Sequence, residues 1–313
     1  MSDPEFKHVA IIGIGLLGSS IAHAVAAYGG AEQVSMWDLS DDVRARAARV
    51  VPGTVCETAQ EAVAGADCVI LCTPVGVLRE VTGQLADALA EGTILTDVGS
   101  VKAKAAADMA STCPAHVHLI PGHPIAGTEK SGPEAGFASL FQDTWHILTP
   151  TADTSAEYKS AIERLTEFWV RIGAKVETMD PNRHDRVLAI TSHLPHLIAY
   201  NIVSTAYDME SVEQGEVVKY SAGGFRDFTR IAASDPTMWR DVFLTNKEAV
   251  LETLGRFSED LAALQRAIRW GDGDMLMREF SRARGIRKAI IDAGLDTAEA
   301  DFGRRQIDPD QDE

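Results

Sequence analysis

The chain has 313 residues, 45% of them hydrophobic, and a formal net charge of −17 at pH 7. That length and apolar content allow a sizeable core and predict two domains. The negative charge argues against nucleic acid and anionic membranes as partners, and an anionic ligand would need a local cluster of cations.

The N-terminus, Met-Ser-Asp-Pro-Glu-Phe-Lys, lacks the apolar run of a signal peptide. No stretch is expected to reach the length of a transmembrane helix, and the expectation is a cytoplasmic protein. Cys56, Cys68, Cys72 and Cys113 form no metal-type pairs, so buried reduced thiols are expected.

In chain order, His8 to Ile12 reads as a strand and ends in Gly13-Ile14-Gly15-Leu16-Leu17-Gly18. An Ala-rich helical pattern follows to about Tyr28, then a strand from Val34 to Trp37 that ends at Asp38. Gly13 permits the tight turn, Gly15 lets the backbone approach a pyrophosphate, and Gly18 lets helix and strand pack closely. The helix N-terminus offers free N–H groups and its positive dipole end to the phosphates. Asp38 lies about 20 positions beyond the motif, suited to a ribose diol and repelling a 2′-phosphate. The stretch predicts a dinucleotide site that prefers NAD to NADP.

Asp67 to Cys72 reads as a buried strand bounded by Thr73-Pro74, and Val75 to Ala90 as a helix. Thr93 to Thr96 is a strand leading into Asp97-Val98-Gly99-Ser100-Val101-Lys102, and another helix runs to Thr112. Strands at 116–120, 145–149 and 174–178 and a helix at 156–172 complete the pattern of a doubly wound sheet. Between 116–120 and 145–149 lies Gly122-His123-Pro124-Ile125-Ala126-Gly127-Thr128-Glu129-Lys130-Ser131-Gly132, with no apolar periodicity and many reactive side chains. It reads as a loop at a strand end, where α/β proteins place their chemistry. Thr73, Pro74 and the stretch from Asp97 to Lys102 are expected to line the crevice with it, although Ser100 could equally cap the helix that follows.

After Pro181 the strand signal stops. Arg183 to Tyr207 is a long helical pattern carrying His184, His193, Pro195 and His196, with a kink expected at Pro195. No third metal ligand has a recognisable spacing, and His193 reads as structural. Arg226 and Arg230, about one helical turn apart with Asp227 between, form a candidate carboxylate clamp in an acidic protein. Helices are expected over 237–270, with Trp239 in the first turn, and over 273–292. The expected organisation is a Rossmann-type domain, 1–179, a helical substrate and dimerisation domain, 180–300, and an acidic disordered tail, 301–313. A homodimer is expected.

GIGLLGSS at 13–20, DVGSVK at 97–102, GHPIAGTEKSG at 122–132, HD at 184–185, SHLPH at 192–196 and GGFRDFTRIAASDPTMW at 223–239 together resemble the prephenate and arogenate dehydrogenases of tyrosine biosynthesis. The likeness covers essentially the whole chain except the acidic tail. It implies an NAD-dependent oxidative decarboxylation of prephenate to 4-hydroxyphenylpyruvate, in a protein with no metal. By the same resemblance His123 is the base and Ser100 binds the same substrate hydroxyl. Arg230 takes a substrate carboxylate, and His196, His184, Thr128 and Glu129 belong to the site. Asp227 pairs with the arginine, and Trp239 matches a residue that can approach from a partner subunit.

Prephenate is favoured over arogenate because SHLPH with His196 is the bacterial pattern and an ammonium would want a nearby acid. A dual-specificity cyclohexadienyl dehydrogenase is the alternative. A 3-hydroxyacid-type dehydrogenase would share the Rossmann domain and helices but is expected to use a Lys or Asp of the helical domain. An NAD-sensing regulatory protein would have no reason to keep His123, Ser100 and Arg230 together.

Overall fold

The computed structural model describes residues 3–210 and 222–292. The expected tail 301–313 lies outside the described residues. The chain divides into two compact units, 1–253 and 254–313.

The first unit opens on β1 (Phe6–Ile12), α1 (Leu16–Tyr28) and β2 (Ala31–Trp37). Three short elements follow that apolar periodicity does not announce: α2 (Asp41–Val50), β3 (Thr54–Val55) and α3 (Ala59–Val63). Their signals are local. The Ser40 side chain caps α2 by accepting from Val43 N–H, and Thr58 with Glu61 forms a capping box on α3. Next come β4 (Cys68–Leu71), α4 (Leu78–Leu85), β5 (Ile94–Asp97), α5 (Ala103–Ala110) and β6 (His118–Leu119).

The six strands form one parallel sheet in the order β3-β2-β1-β4-β5-β6. Successive β1 residues face opposite sides of the sheet. Val9 and Ile11 enter a core with Ile21, Phe168 and Trp169, while Ala10 and Ile12 enter a second with Leu71, Leu78 and Met109. Burial on both faces explains why β1 and β4 are unbroken apolar runs. The order reverses between β1 and β4, so the loops after these strands open a crevice at their carboxyl ends.

A second sheet, of β7 (Gly122–Pro124), β8 (Trp145–Leu148) and β9 (Lys175–Thr178), has β7 antiparallel and β9 parallel to β8. The stretch 122–132 is therefore not all loop. Its first three residues pair with β8, His123 opposite Ile147, which fixes the His123 backbone. Helix α6 (Ala156–Arg171) lies between β8 and β9 in the chain.

The long helical pattern after Pro181 is one run with an interruption. Helix α7 (Pro181–Leu188) passes into a π-helical turn, Ala189–His193, and then into α8 (Leu194–Glu210). The irregularity expected at Pro195 thus sits in the preceding turn, where proline's missing N–H leaves a backbone carbonyl unpaired. This run also corrects the expectation about apolar length. Pro181–Met209 is long and apolar enough to cross a membrane by length and composition, with mean hydropathy 1.2, because its histidines and proline do not end the helix. Helix α9 (Gly223–Thr229) and a 3₁₀ turn, Arg230–Ala233, follow. The expected helix 237–270 is broken at Asn246 (φ −100°, ψ 36°) into α10 (Pro236–Thr245) and α11 (Lys247–Trp270).

The second unit holds α12 (Gly273–Asp292). Leu261, Ile268, Met277, Phe280 and Ile286 are exposed in this unit of the single chain.

Candidate functional site

The glycine turn is shaped as its spacing requires. Gly13 has φ 102°, and a Cβ there would stand 2.6 Å from the Cys72 carbonyl oxygen. A Cβ on Gly18 would stand 2.0 Å from the Gly13 oxygen. At Gly15 a Cβ would meet nothing within 4 Å, so open space faces the turn. Gly15 is the N-cap of α1 and no side chain satisfies the first N–H groups. Leu16 is buried in the core and Leu17 packs against it, so these two offer backbone rather than side chain. Asp38 accepts from Ile14 N–H at 2.8 Å and Ser40 N–H at 2.9 Å, which fastens the turn to the end of β2. The Thr73 hydroxyl, at the end of β4, is buried without a partner. Open space at Gly15, an uncapped helix start and an orphaned hydroxyl at the switch point fit a dinucleotide. Pro74, at the same strand end, is exposed and leads into a 3₁₀ turn.

Asp97 departs from expectation. It is fully buried, pairs with the equally buried Lys102 Nζ, and accepts from Gly99 N–H at 2.9 Å and Gly122 N–H at 3.2 Å. Lys102 Nζ also donates to the Gly122 oxygen at 2.7 Å. A carboxylate paid for in this way is a brace between β5 and β7 and does not line the crevice. Burial lowers the Lys102 pKa, opposed by the attraction of Asp97. The sequence signal was Asp97 and Lys102 framing one short motif.

Helix α5 starts at this brace. Its N-cap is Lys102 and no adjacent side chain caps it, so the Ser100 hydroxyl is not used there. Asp185, on α7, does the capping. Oδ1 accepts from Lys102 N–H at 2.7 Å and Oδ2 from Ala103 N–H at 2.9 Å. The same Oδ1 lies 2.8 Å from His184 Nδ1, and His184 Nε2 lies 2.9 Å from His123 Nδ1. All three residues are buried.

Proton positions follow from this line. A carboxylate only accepts, so His184 donates through Nδ1–H, and with one proton on its ring it accepts at Nε2. His123 must then donate through Nδ1–H, which leaves its Nε2 as a lone pair. Burial holds the His123 pKa well below the ordinary 6.5, with repulsion from His184, Lys102, His146 and His193 in the same sense. His123 is thus a neutral imidazole with one basic nitrogen free at neutral pH.

The remaining predicted residues fall in two groups. His196, half-buried, shares a 2.9 Å contact from Nδ1 to the Ser192 oxygen and stacks on Trp239 at 3.7 Å. Burial lowers its pKa, with the Ser192 hydrogen bond opposing and the Arg230 charge adding. Trp239 is buried within its own chain, beside Val101 and Val242. Arg230 binds Glu129 Oε2 at 2.8 Å, so the acid facing the arginine is Glu129 and not Asp227. Asp227 is exposed on α9, and Arg230 reaches instead across to the 122–132 stretch. Thr128 accepts from Lys130 N–H at 3.1 Å, a turn within the loop itself.

Sequence reasoning missed three residues. His146 is fully buried, stacks on Trp169 at 3.8 Å and has no hydrogen-bond partner at either nitrogen. Asn246 donates through Nδ2 to the Asp185 carbonyl at 2.9 Å and lies 3.1 Å from His193 Nδ1. The third is Lys102, expected within the crevice-lining stretch 97–102 but not as the buried partner of Asp97. Of the four free cysteines only Cys68 is fully buried, while Cys56, Cys72 and Cys113 are half-buried. Among the described residues no group of three or more His, Cys, Asp or Glu side chains could hold a metal ion.

A dinucleotide crevice beside a neutral buried histidine defines a nucleotide-dependent oxidoreductase. Residues 21–178 match the family described as prephenate dehydrogenase, nucleotide-binding domain, and residues 180–282 its dimerization domain. A cyclohexadienyl dehydrogenase of Zymomonas mobilis is 44% identical over 91% of this chain and 96% of its own length. A prephenate dehydrogenase of Bacillus subtilis is 32% identical over 90% of this chain and 76% of its own. The crystal structure of prephenate dehydrogenase from A. aeolicus, in complex with hydroxyphenyl propionate and NAD+, matches with TM-score 0.82 and 34% identity, over 93% and 99% of the two chains. The chain belongs to the prephenate dehydrogenase family.

Proposed function

We propose that this protein oxidises prephenate with NAD, releasing carbon dioxide and 4-hydroxyphenylpyruvate. The observation that carries the reading is the line Asp185–His184–His123, whose 2.8 and 2.9 Å contacts turn His123 Nδ1 toward His184 and leave its Nε2 free to act as the base. Bound NAD supplies the hydride acceptor. It would be held by the Gly13–Gly18 turn, the open end of α1, Asp38 and Thr73.

The substrate's ring hydroxyl must lose its proton as the ring carbon loses hydride. His123 Nε2 takes that proton, at a pH where the imidazole is already neutral. Ser100, whose hydroxyl is not spent on capping α5, orients the same hydroxyl. Arg230 holds a substrate carboxylate, and His196 bounds the pocket from its stack on Trp239. The ketone so formed is a vinylogous β-keto acid. Loss of carbon dioxide sends its electron pair through the ring to the ketone oxygen, and the aromatic phenolate so formed takes back the proton that His123 Nε2 holds, so decarboxylation needs no further acid or base from the protein.

Arogenate is the second candidate substrate, favoured by the likeness to the Zymomonas cyclohexadienyl dehydrogenase over nearly all of that protein's length. The domain division belongs to the same reading, with a nucleotide domain at 1–179 and a helical domain at 180–300 that pairs two copies. Support for a homodimer comes from the dimerization-domain match and from the exposed Ile268, Met277 and Phe280. A cytoplasmic biosynthetic enzyme is the setting this reading implies.

The test is NADH formation, followed at 340 nm, with prephenate and arogenate each supplied with NAD or NADP. Turnover of prephenate with NAD is expected. No NADH from either dienol would overturn the reading.

A further inference from the structure

Lys102 meets the segment of His123 by two routes. Its N–H donates to Asp185 Oδ1 at 2.7 Å, the oxygen that also lies 2.8 Å from His184 Nδ1, and so joins the line that ends on the His123 ring. Its ammonium donates to the Gly122 carbonyl oxygen at 2.7 Å, in the peptide bond that leads into His123. The same ammonium pairs with Asp97 Oδ2, which accepts from Gly99 N–H at 2.9 Å, one residue before Ser100. Asp97 Oδ1 accepts from Gly122 N–H at 3.2 Å. Both backbone groups of Gly122 are thus held by one ion pair, and the same pair holds the residue before Ser100.

The space around the pair leaves it no slack. A Cβ on Gly99 would stand 2.8 Å from Asp97 Oδ2, and one on Gly122 would stand 2.6 Å from His146 Nε2. The pair also bridges two sheets, since Asp97 ends β5 in the six-stranded sheet and Gly122 opens β7 in the three-stranded one. Both charged side chains are fully buried. A buried ion pair is a poor source of stability, because taking two charges out of water offsets most of their attraction. What it supplies is direction, since hydrogen bonds keep their strength only within narrow distances and angles. Two apolar side chains of the same volume would fill the space without fixing either backbone.

We propose that Asp97 and Lys102 are positioning residues for the dehydrogenase reaction, whose buried pair sets the separation of the two backbone stretches that carry Ser100 and His123. In that reaction the Ser100 hydroxyl and His123 Nε2 must converge on one substrate hydroxyl. The Asp97–Lys102 pair acts on the backbone of the two stretches, while Asp185 and His184 act on the His123 ring. This rests on the proposed roles of His123 and Ser100.

The test is a mutant cycle on kcat and KM with prephenate and NAD. Its arms are His123→Asn, the paired change Asp97→Asn with Lys102→Met, and all three together. The paired change removes both charges at once and leaves no buried charge without its partner, so the protein should fold, with the urea midpoint as the control. Its kcat should fall by about a hundredfold, the cost of a misplacement of about 1 Å, while both KM values move less than about threefold. In the His123→Asn background the base is already gone, and the paired change should cost less than about tenfold. A loss there of about a hundredfold would overturn the inference, since a general structural defect multiplies with His123→Asn in full. Unchanged kcat in the paired variant would overturn it as well. Full turnover by His123→Asn alone would instead overturn the role of His123 in the reaction. If the paired variant does not fold, Asp97→Asn alone takes its place in the cycle, keeping the shape of the carboxylate without the charge that holds Lys102. The same pattern is expected of it, and the same results are fatal.

Discussion

His184 Nε2 lies 2.9 Å from His123 Nδ1, and this contact decides which nitrogen of His123 is basic. With Asp185 fixing the proton of His184, the free lone pair of His123 is at Nε2. If that lone pair is the reaction's base, removing its orienting partner should cost turnover without touching the cofactor site. His184→Leu is expected to lower kcat about a hundredfold to a thousandfold, within the range that positioned general bases supply. NAD affinity, read by titration calorimetry, should stay within about twofold. A variant with unchanged kcat would remove His184 from the arrangement.

Asp185 has a second task, since it satisfies Lys102 N–H and Ala103 N–H at the start of α5. Asp185→Ala should therefore lose stability as well as turnover. Loss of a helix cap costs about 0.5–2 kcal/mol, and the buried N–H groups left behind raise the figure. A fall in urea midpoint with an unchanged m-value is the expected result. His184→Leu should shift the midpoint less, which separates capping from histidine orientation.

Much of the nucleotide half was legible because its elements follow strong local rules. The unbroken apolar strands, the glycine spacing at 13–18 and Asp38 dictate a turn that few other residues could form. The histidines of the site were legible as residue types, but their connections were not. Asp185 caps a helix 82 residues earlier in the chain, and no local signal reports that. Asp97 looked like a crevice residue because it ends a strand, yet its partner Lys102 turns it inward. Asn246 was invisible because 237–270 reads as one continuous helical pattern, and the break becomes apparent only where the side chain is needed between Asp185 and His193. The partner of Arg230 was misassigned to a neighbour in sequence, Asp227, when the loop supplies Glu129.

Three buried histidines make the fold sensitive to acid. Burial lowers the pKa of His123 and His146 well below 6.5, and that of His193 to about 4. In the unfolded chain each would bind a proton below pH 6.5, while in the folded protein each stays neutral until its depressed pKa is reached. The unfolded state thus binds more protons in that window, and stability falls as pH drops from 6.5 toward 4. Each histidine contributes up to about 1.4 kcal/mol per pH unit. Urea midpoints measured between pH 7.5 and 5 should decline steeply, and His146→Phe, which keeps a ring on Trp169, should flatten the decline. An equal slope in that variant would show that His146 is already protonated in the folded state.

Asp38 is tied to Ile14 N–H at 2.8 Å, so it shapes the glycine turn besides its proposed role at the ribose. Asp38→Ala should weaken NAD binding twice over, by loosening the turn and by removing an acceptor for the ribose diol. A loss of about tenfold to a hundredfold in NAD affinity is expected, the scale of one or two charge-assisted hydrogen bonds. Discrimination against NADP should shrink as well, because the charge that repels a 2′-phosphate is gone. Equal NAD and NADP selectivity before and after the change would remove Asp38 from cofactor choice.

Arg230 and Glu129 are joined at 2.8 Å with both side chains about a third exposed, so the pair itself adds little to stability. A substrate carboxylate entering the site must displace Glu129 or share the guanidinium with it. In its proposed role the arginine is a binding group whose loss should appear in KM more than in kcat. Arg230→Ala is expected to raise KM for prephenate about tenfold to a hundredfold, and Arg230→Lys to recover only part of this because lysine lacks the planar fork. The urea midpoint of Arg230→Ala should stay within about 1 kcal/mol of the parent, as a partly exposed ion pair requires. A normal KM in Arg230→Ala would move the carboxylate site elsewhere, with His196 and its neighbours on α8 the next groups to vary.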